Sequence, residues 1–445
     1  MFKTLANAWK IPDIRKKILF TAFIVLLFRI GANIPAPFVS IGEGGLLAST
    51  EGTTFLNYLS MMTGEAFNYG TIFALSITPY INSSIIIQLL TVAIPALERL
   101  SKEGEEGRKK IAKITRYVTL ALGLLQSIAY FIYLRAQNFL LYKGEDVFPQ
   151  IFQGVVIVSV LTAGTTLVMW LGEQINNKGI GNGISIILFA GIISRIPTEM
   201  TALFGTTEDY TGAAFTGSIP RLIISIVVVI SYLLMIAYIV WMDNAERRIP
   251  VQYAKRVVGR KMYGGQSSHL PIKVALGGVL PIIFASSILS LPPTVRMFVD
   301  SKIEDGSGWD KFFDMFDAER WFYGIMYFIL IIFFAYFYSS IQYNPVEMAN
   351  NLRRNNGTIP GIRPGKPTSE YLQKVLNRIV LIGSLLISIV AILPIVYSQI
   401  TNATGSQMNI ALGGTSVIIL VGVALETVRQ LESQLMVRQY KGFLS

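Results

Sequence analysis

Ten apolar runs constrain this chain more than any other feature of its sequence. A helix that spans a bilayer needs about 20 consecutive, mostly apolar residues, and the ten runs have or approach that length. Charged residues are only 15% of the 445 residues, against about 25% in a soluble protein. The sequence therefore predicts an all-α integral membrane protein. The predicted spans are residues 18–34, 72–94, 117–134, 153–171, 183–204, 221–241, 274–294, 321–343, 379–400 and 409–425.

The basic residues favour one orientation of these spans. With residues 1–17 in the cytoplasm and ten crossings, 29 of the 38 Lys and Arg residues fall in cytoplasmic segments. Positively charged loops normally stay on that side of the membrane. We therefore predict that the N-terminus and the C-terminal tail, 426–445, are both cytoplasmic. The fifth run is short and is followed by Arg195 and Glu199, but without it the basic loop 242–273 would lie outside.

The ten spans divide into a first half, 18–204, and a second half, 205–425. Five spans in each half reverse the direction of equivalent helices, which is the arrangement of an inverted repeat. Spans 2 and 7, the second of each half, both carry a proline followed by a Ser-Ser pair. Proline-interrupted spans at matching positions point to the working site of a transport protein. Proline is also tolerated in membrane helices without such a role, so both interpretations stay open.

The loops differ strongly in charge. Two of them, 242–273 and 344–378, are long and basic, and such protrusions attract lipid head groups, nucleic acid or acidic protein surfaces. The outer loop 35–71 has no Lys or Arg and contains a short apolar stretch at 55–62. That stretch is too short to cross a bilayer, so the sequence predicts a re-entrant or interfacial piece there.

The spans lack the chemistry of a coupled pump. No predicted span has Asp or Glu near its centre, whereas coupled transporters usually bury ionisable groups. Arg29 lies near the outer end of span 1, where its side chain could reach the interface. With no cysteine and one histidine, His269, we expect no metal site, no cofactor and no catalytic residue. A passive conduit fits best; a small-solute secondary transporter with inverted repeats and a membrane scaffold are the alternatives.

Short segments spread along nearly the whole chain carry a more specific signal. They include Gly179-Ile180-Gly181-Asn182-Gly183 and Pro360-Gly361-Ile362-Arg363-Pro364-Gly365. The others are 28–31, 72–81, 115–117, 170–174, 247–256, 266–271, 344–345 and 413–416. In these segments, and in their order, the chain resembles the SecY family of protein-translocase channels. The resemblance implies an hourglass channel of two inverted five-helix halves, which conducts unfolded polypeptides across the bacterial cytoplasmic membrane and releases membrane segments sideways into lipid.

The resemblance also implies roles for particular residues inside the membrane. A hydrophobic ring at the constriction would consist of Ile77, Ile81, Ile184, Leu188, Ile283 and Ile419. A lateral gate between spans 2 and 7 would include Pro79, Asn82, Ser83, Pro281, Ser286 and Ser287. A plug, roughly 54–67 and including Phe55, Leu56, Leu59 and Met62, would block the outer funnel at rest. Without the resemblance, each ring residue would be interpreted as a residue that packs between helices or faces lipid.

The two basic loops correspond, by the same resemblance, to the docking site of the SecA motor and the ribosome. The residues implied are Arg247, Arg248, Lys255, Arg256, Arg260, Lys261 and Arg363. Ribosomal RNA is a polyanion, so simple electrostatics could supply part of the ribosome's affinity for these loops. The resemblance further implies SecE and SecG subunits, signal peptides and nascent chains, SecDF, a YidC-type insertase and membrane lipid as partners.

Overall fold

The computed structural model places a helix on each of the ten predicted spans. It describes residues 8–42, 45–46, 60, 63–142, 147–204, 221–253, 256–258, 261–263, 267–299, 307–316, 320–403 and 414–441. The helices are α1 (Pro12–Gly31), α2 (Thr78–Ala93), α3 (Pro95–Lys102), α4 (Glu105–Ala136), α5 (Val147–Lys178), α6 (Gly183–Phe204), α7 (Arg221–Asn244), α8 (Leu280–Leu289), α9 (Leu291–Val299), α10 (Gly308–Asp314), α11 (Trp321–Gln342), α12 (Pro345–Arg354), α13 (Lys366–Ala403) and α14 (Gly414–Lys441). The strands are β1 (Glu246–Tyr253), β2 (Arg256–Val258), β3 (Lys261–Tyr263), β4 (Ser267–Lys273) and β5 (Gly357–Thr358).

The helices differ in how well each could cross a bilayer alone. Among the described residues, α4, α5, α7, α11 and α13 are long and apolar enough by themselves, and α2 with α3 makes a sixth span that bends by 101°. The remaining spans are α1, α6, the α8–α9 pair and α14. Both α6 and the α8–α9 pair are short apolar helices, whereas α1 carries Arg29 and a charged first turn. These helices are stabilised in the membrane by packing against the longer ones.

The two halves repeat the same helix contacts. In the first half α1 contacts α5 and α6, α2 contacts α4, α4 contacts α5, and α5 contacts α6. In the second half α7 contacts α13 and α14, α8 contacts α11, α11 contacts α13, and α13 contacts α14. These are the same five pairs once the first span is matched to the sixth, the second to the seventh and so on. The fold therefore has the internal symmetry that an inverted repeat requires.

The helical parts of spans 2 and 7 begin later than predicted. Turns occupy residues 72–77 and 276–279, so α2 begins at Thr78 and α8 at Leu280. Prolines follow immediately at N1 or N2 of both helices, where a missing N–H costs no hydrogen bond. The prolines thus begin the two helices and do not kink them. The second half has an additional break at Ser290, between α8 and α9.

Two glycines let the non-helical starts of spans 2 and 7 pack closely. A methyl group added at Gly164 of α5 would overlap the carbonyl oxygen of Ile72. One added at Gly383 of α13 would overlap the carbonyl oxygen of Val274. The two glycines lie on spans 4 and 9, which are equivalent in the repeat. In each half, therefore, a glycine on the fourth span leaves room for the backbone at the non-helical start of the second span.

Candidate functional site

A buried apolar cluster joins the two halves, and all six predicted ring residues belong to it. Five of them are buried in the cluster and Ile184 packs against it while partly exposed. In the first half they come from the start of α2, where Ile77 is the residue just before the helix, and from the first two turns of α6; in the second half they come from α8 and α14. These four helices form spans 2, 5, 7 and 10, so each contributing span has its symmetry equivalent in the set. The ring residues are Ile77, Ile81, Ile184, Leu188, Ile283 and Ile419.

Ile77 packs closely against α5. Its Cδ1 atom lies 3.6 Å from the position that a Cβ would take at Gly172 of α5, and Cδ1 of Ile187 lies 3.4 Å from the same point. Ile77 is fully buried. Ile187, a residue that the sequence interpretation did not select, therefore packs beside Ile77 against α5. Ile187 stands between the buried aliphatic residues Ile186 and Leu188, so no periodic pattern in the sequence singles it out.

The halves also meet along α2, α4, α8 and α9. The helix α2 contacts α8, and α4 contacts α9. The predicted gate residues lie in the first turns of α2 and along α8, and Pro79, Asn82, Ser83, Pro281 and Ser286 are buried. Ser287 is partly buried. The Ser83 hydroxyl donates to the Pro79 carbonyl at 2.7 Å, and that of Ser286 donates to the Ile283 carbonyl at 3.0 Å. Both hydroxyls are therefore satisfied within their own helices.

A small cavity of about 40 Å³ lies at this junction, and we call it the polar cavity because seven of its eleven lining residues have polar side chains. The first half lines it with residues of the outer loop, α2 and α4, and the second half adds Ser290 and Thr294. Asn82 faces the cavity, and within the described part of the chain its buried Oδ1 atom has no hydrogen-bond partner. The first-half residues are Thr63, Phe67, Ala74, Leu75, Thr78, Asn82, Gln126, Ala129 and Tyr130. The junction thus leaves a small gap between the halves and brings together more polar side chains than the apolar cluster beside it does.

The two basic loops form one folded unit, although the sequence predicted two separate loops. Strand β1 pairs antiparallel with β4 inside the first loop, and also with β5 from the second loop. Ile249 and Val251 of β1 point inward and belong to one buried cluster with Leu352 of α12 and Leu372 of α13. The alternation of inward Ile249 and Val251 with outward Arg248, Pro250 and Gln252 is the period-two signal of a strand.

Exposed cations cover this basic end of the molecule. Arg247, Arg248 and Arg363 are exposed, and Arg248 forms an ion pair with Glu246 at 2.6 Å. Gly361 and Gly365 have φ values of +81° and +105°, which favour glycine. The Thr368 hydroxyl donates to the Arg363 carbonyl at 2.8 Å, so a fixed turn presents the Arg363 side chain. Of the other predicted docking residues, Arg256 and Lys261 lie in β2 and β3 with side chains outside the described set, and Lys255 and Arg260 lie outside the described residues.

The outer loop ends in a buried segment, residues 63–67, that we call the stem. Thr63, Ala66 and Phe67 of the stem are buried, and its first and last residues line the polar cavity. The predicted plug residues Phe55, Leu56, Leu59 and Met62 lie outside the described residues. The Arg29 side chain was expected at the membrane interface, but its Nη1 atom donates to the Gly64 carbonyl at 2.9 Å. Its side chain therefore binds the stem and does not reach for the interface.

Comparison with known proteins decides the family. The SecY family model matches residues 71–428. The chain is 43% identical over 464 residues to protein translocase subunit SecY of Mycobacterium bovis, and the match covers 100% of each chain. The chain belongs to the SecY family. It is also 43% identical over 455 residues to protein translocase subunit SecY of Streptomyces coelicolor, again with 100% of each chain covered.

Solved structures give the same fold. A protein-conducting channel has a TM-score of 0.63 at 18% identity, with 96% of each chain covered. A SecY channel, described for a plug domain that stabilises its closed state, has a TM-score of 0.63 at 17% identity and the same coverage. The channel of a canine ribosome–channel complex from the endoplasmic reticulum has a TM-score of 0.61 at 16% identity, with 96% of each chain covered. Together with the curated SecY relatives, these channels show that the chain is a multi-pass protein-conducting channel of the bacterial cell membrane, and they give no support to the solute-transporter alternative.

Proposed function

We propose that exported polypeptides pass through the apolar cluster at which the halves meet, with the six ring residues as the constriction. The observation that carries this proposal is their common membership in one cluster although they come from four helices of both halves. Flexible aliphatic side chains can close around an extended chain of any sequence without binding it tightly. When no chain is present, an apolar constriction resists wetting and ion flow.

The lateral gate in this proposal opens where α2 separates from α8 and α9. The polar cavity at that junction supports the proposal, because it already interrupts the packing between the halves. Ser83 and Ser286 also support it, since both hydroxyls bond within their own helices. Separating the helices would break no hydrogen bond of these two side chains, and so would avoid the cost of unsatisfied polar groups in lipid. Signal peptides and membrane segments would leave the channel here.

The outer segment 54–67 is the plug in this proposal. Two observations support it: the burial of the stem beside the cavity, and the fold shared with a SecY channel whose plug domain stabilises the closed state. Residues of the plug would sit above the constriction at rest and leave it when a polypeptide enters.

The basic end faces the cytoplasm in this proposal, together with both termini. The excess of Lys and Arg in the segments of that end supports this orientation through the positive-inside rule. The joined loops would bind the SecA motor and the ribosome, and the canine channel of like fold comes from a complex with the ribosome. SecE, SecG, SecDF and a YidC-type insertase complete the proposed assembly. The channel itself would convert no energy and catalyse no reaction, so a partner would supply the driving force.

Replacement of Arg363 by Ala tests the docking part of the proposal. We expect SecA-driven export into inverted membrane vesicles to slow at least about tenfold, because truncating one member of a desolvated charge pair costs ~2–5 kcal/mol. Arg363→Lys should recover only part of the rate, since Lys cannot form the bidentate contact. The turn itself should persist, because its hydrogen bond uses the Arg363 main chain.

Arg354→Ala is the matched control, since Arg354 is another exposed arginine of the same folded unit. Export should change less than about twofold in that variant, as for most surface substitutions. Equal rates for Arg363→Ala, Arg354→Ala and the unaltered channel, at equal channel amounts, would show that Arg363 takes no part in docking the motor.

A further inference from the structure

We propose that Arg29 and Arg195 position the stem, and through it the plug, by clamping two consecutive stem residues to the first half. The inference rests on the proposed plug role of segment 54–67. Its basis is an arrangement that neither the apolar pattern nor the charge pattern predicts: two arginines from different helices converge on Gly64 and Glu65. We call this pair of contacts the stem clamp.

One contact of the stem clamp is a hydrogen bond and the other is a longer ion pair, and both are partly shielded from solvent. The Arg29 Nη1 atom of α1 donates to the Gly64 carbonyl at 2.9 Å. The Arg195 Nε atom of α6 lies 3.6 Å from the Glu65 Oε1 atom, and the two side chains are only 12% and 23% exposed. Charges at such low exposure attract each other more strongly than surface pairs do. A buried arginine that loses its carboxylate partner is correspondingly costly.

The stem backbone has the shape that this clamp requires. Gly64 and Glu65 have φ values of +64° and +71°, a conformation that residues other than glycine rarely adopt. A Cβ at Gly64 would lie 2.8 Å from the Ser194 hydroxyl and 3.0 Å from the Gly191 carbonyl of α6. The stem therefore runs directly against α6. A strained backbone conformation persists only where its surroundings stabilise it. Here the stabilising element is α6, because its Arg195 pairs with the Glu65 carboxylate.

A third anchor lies at the end of the stem. The buried Tyr130 hydroxyl of α4 donates to the Phe67 carbonyl at 2.7 Å. The clamp and this anchor thus come from α1, α6 and α4, all in the first half. From the second half, Ser290 and Thr294 face the stem across the polar cavity. When the halves separate, the stem should stay with the first half, and the rest of the plug, residues 54–62, should move relative to a fixed stem.

A simpler interpretation is that Glu65 only neutralises a buried arginine. That role would affect the amount of folded channel but not the ion permeability of the channels that do fold. A positioning role predicts an ion leak at an unchanged amount of channel. The two roles can therefore be separated by measuring ion flux per folded channel.

The experiment measures chloride efflux from proteoliposomes that contain the resting channel with its partner subunits, normalised to folded channel. We expect Glu65→Gln and Arg195→Gln each to raise efflux at least about fivefold, through a shifted ratio of clamped to released stem. The exchanged pair, Glu65→Arg with Arg195→Glu, should restore most of the seal because it restores the attraction. SecA-driven export should continue in all three.

Arg135→Gln is the control, since Arg135 is an exposed arginine of α4 that donates a hydrogen bond to Gln150. Chloride efflux through the Arg135→Gln channel should not change.

Deletion of residues 54–62 separates failure of the clamp from failure of the plug. If the deletion raises efflux but Glu65→Gln and Arg195→Gln do not, the plug seals the channel without the clamp and our inference is wrong. If the deletion leaves efflux unchanged, the plug proposal itself fails and the inference falls with it. An exchanged pair that leaks as much as the single variants would also contradict the clamp, because the attraction would then not matter.

Discussion

Serine in place of Ile283 is expected to make the resting channel leak ions at least about tenfold faster, which corresponds to a barrier lowered by only ~1.4 kcal/mol. Ile283 lies in α8 within the cluster shared by both halves. A hydroxyl there would let water enter a constriction that is otherwise apolar, and ions follow water through such a gate. Chloride efflux from proteoliposomes, or conductance in a planar bilayer, measures the effect directly.

Ile331→Ser is the matched control for this variant. Ile331 of α11 is fully buried in the same cluster but is not a ring residue. Both changes remove the same apolar groups and place a hydroxyl in the core, so both should destabilise the fold by ~2–5 kcal/mol. Only Ile283→Ser should increase ion flux per folded channel. Equal leaks from the two variants would mean that loss of core packing, and not loss of a ring, opens the channel.

A covalent lock between Asn82 and Ser290 is expected to stop export almost completely. The two residues line the polar cavity from opposite halves, and the chain has no native cysteine. Asn82→Cys with Ser290→Cys can therefore be joined by a short cleavable crosslinker without background reactions. If α2 must separate from α8 and α9 for a signal peptide to enter, the joined fraction should neither secrete proteins nor insert membrane segments. Cleavage of the crosslinker should restore both.

Asn82→Cys with Gln126→Cys provides the control for the lock. Both of these residues line the same cavity, but both belong to the first half, so joining them should leave export at the rate of the unjoined variant. Normal export through channels whose Asn82–Ser290 lock is complete, as judged by mobility on a denaturing gel, would rule out this gate. Loss of export in both locked variants would implicate the cavity lining and not the separation of the halves.

The number and positions of the helical spans could be predicted from the sequence because the bilayer requires long apolar runs. Each of the ten apolar runs carries a helix, including the short fifth run, which the charge distribution required. The boundaries were less predictable. Hydropathy does not distinguish a turn from a helix inside an apolar run, so the non-helical residues 72–77 and the break at Ser290 were missed.

The pairing of the two basic loops through β1 and β5, and the contacts of the stem clamp, could not be predicted from the sequence. The strand β5 is two residues long and lies about 100 positions along the chain from its partner β1, so no local pattern links them. The same holds for Arg29 and Gly64, which are 35 positions apart. Arg29 therefore looked like an isolated charge near a helix end. Long-range contacts of this kind depend on how the helices pack, which apolar periodicity does not specify.

The ring residues were selected through the family resemblance, since composition could not distinguish them from other isoleucines of the core. The structure brings all six to one cluster, but their role as the constriction stays a prediction. Ile187, which packs beside Ile77 against Gly172, shows why residue type alone is insufficient. Adjacent aliphatic residues on one helix turn can face either the neighbouring helix or the centre of the bundle.

Crosslinking to a polypeptide in transit tests the pathway most directly. A photoreactive residue at position 81 or 283 should crosslink to successive sites along a stalled secretory chain, in vesicles supplied with SecA and ATP. The same probe at Ile325, an exposed position of α11, should crosslink to lipid and not to the chain. Crosslinks from both ring positions are the result we predict. Active export with no crosslinks from either ring position would contradict a pathway through the apolar cluster.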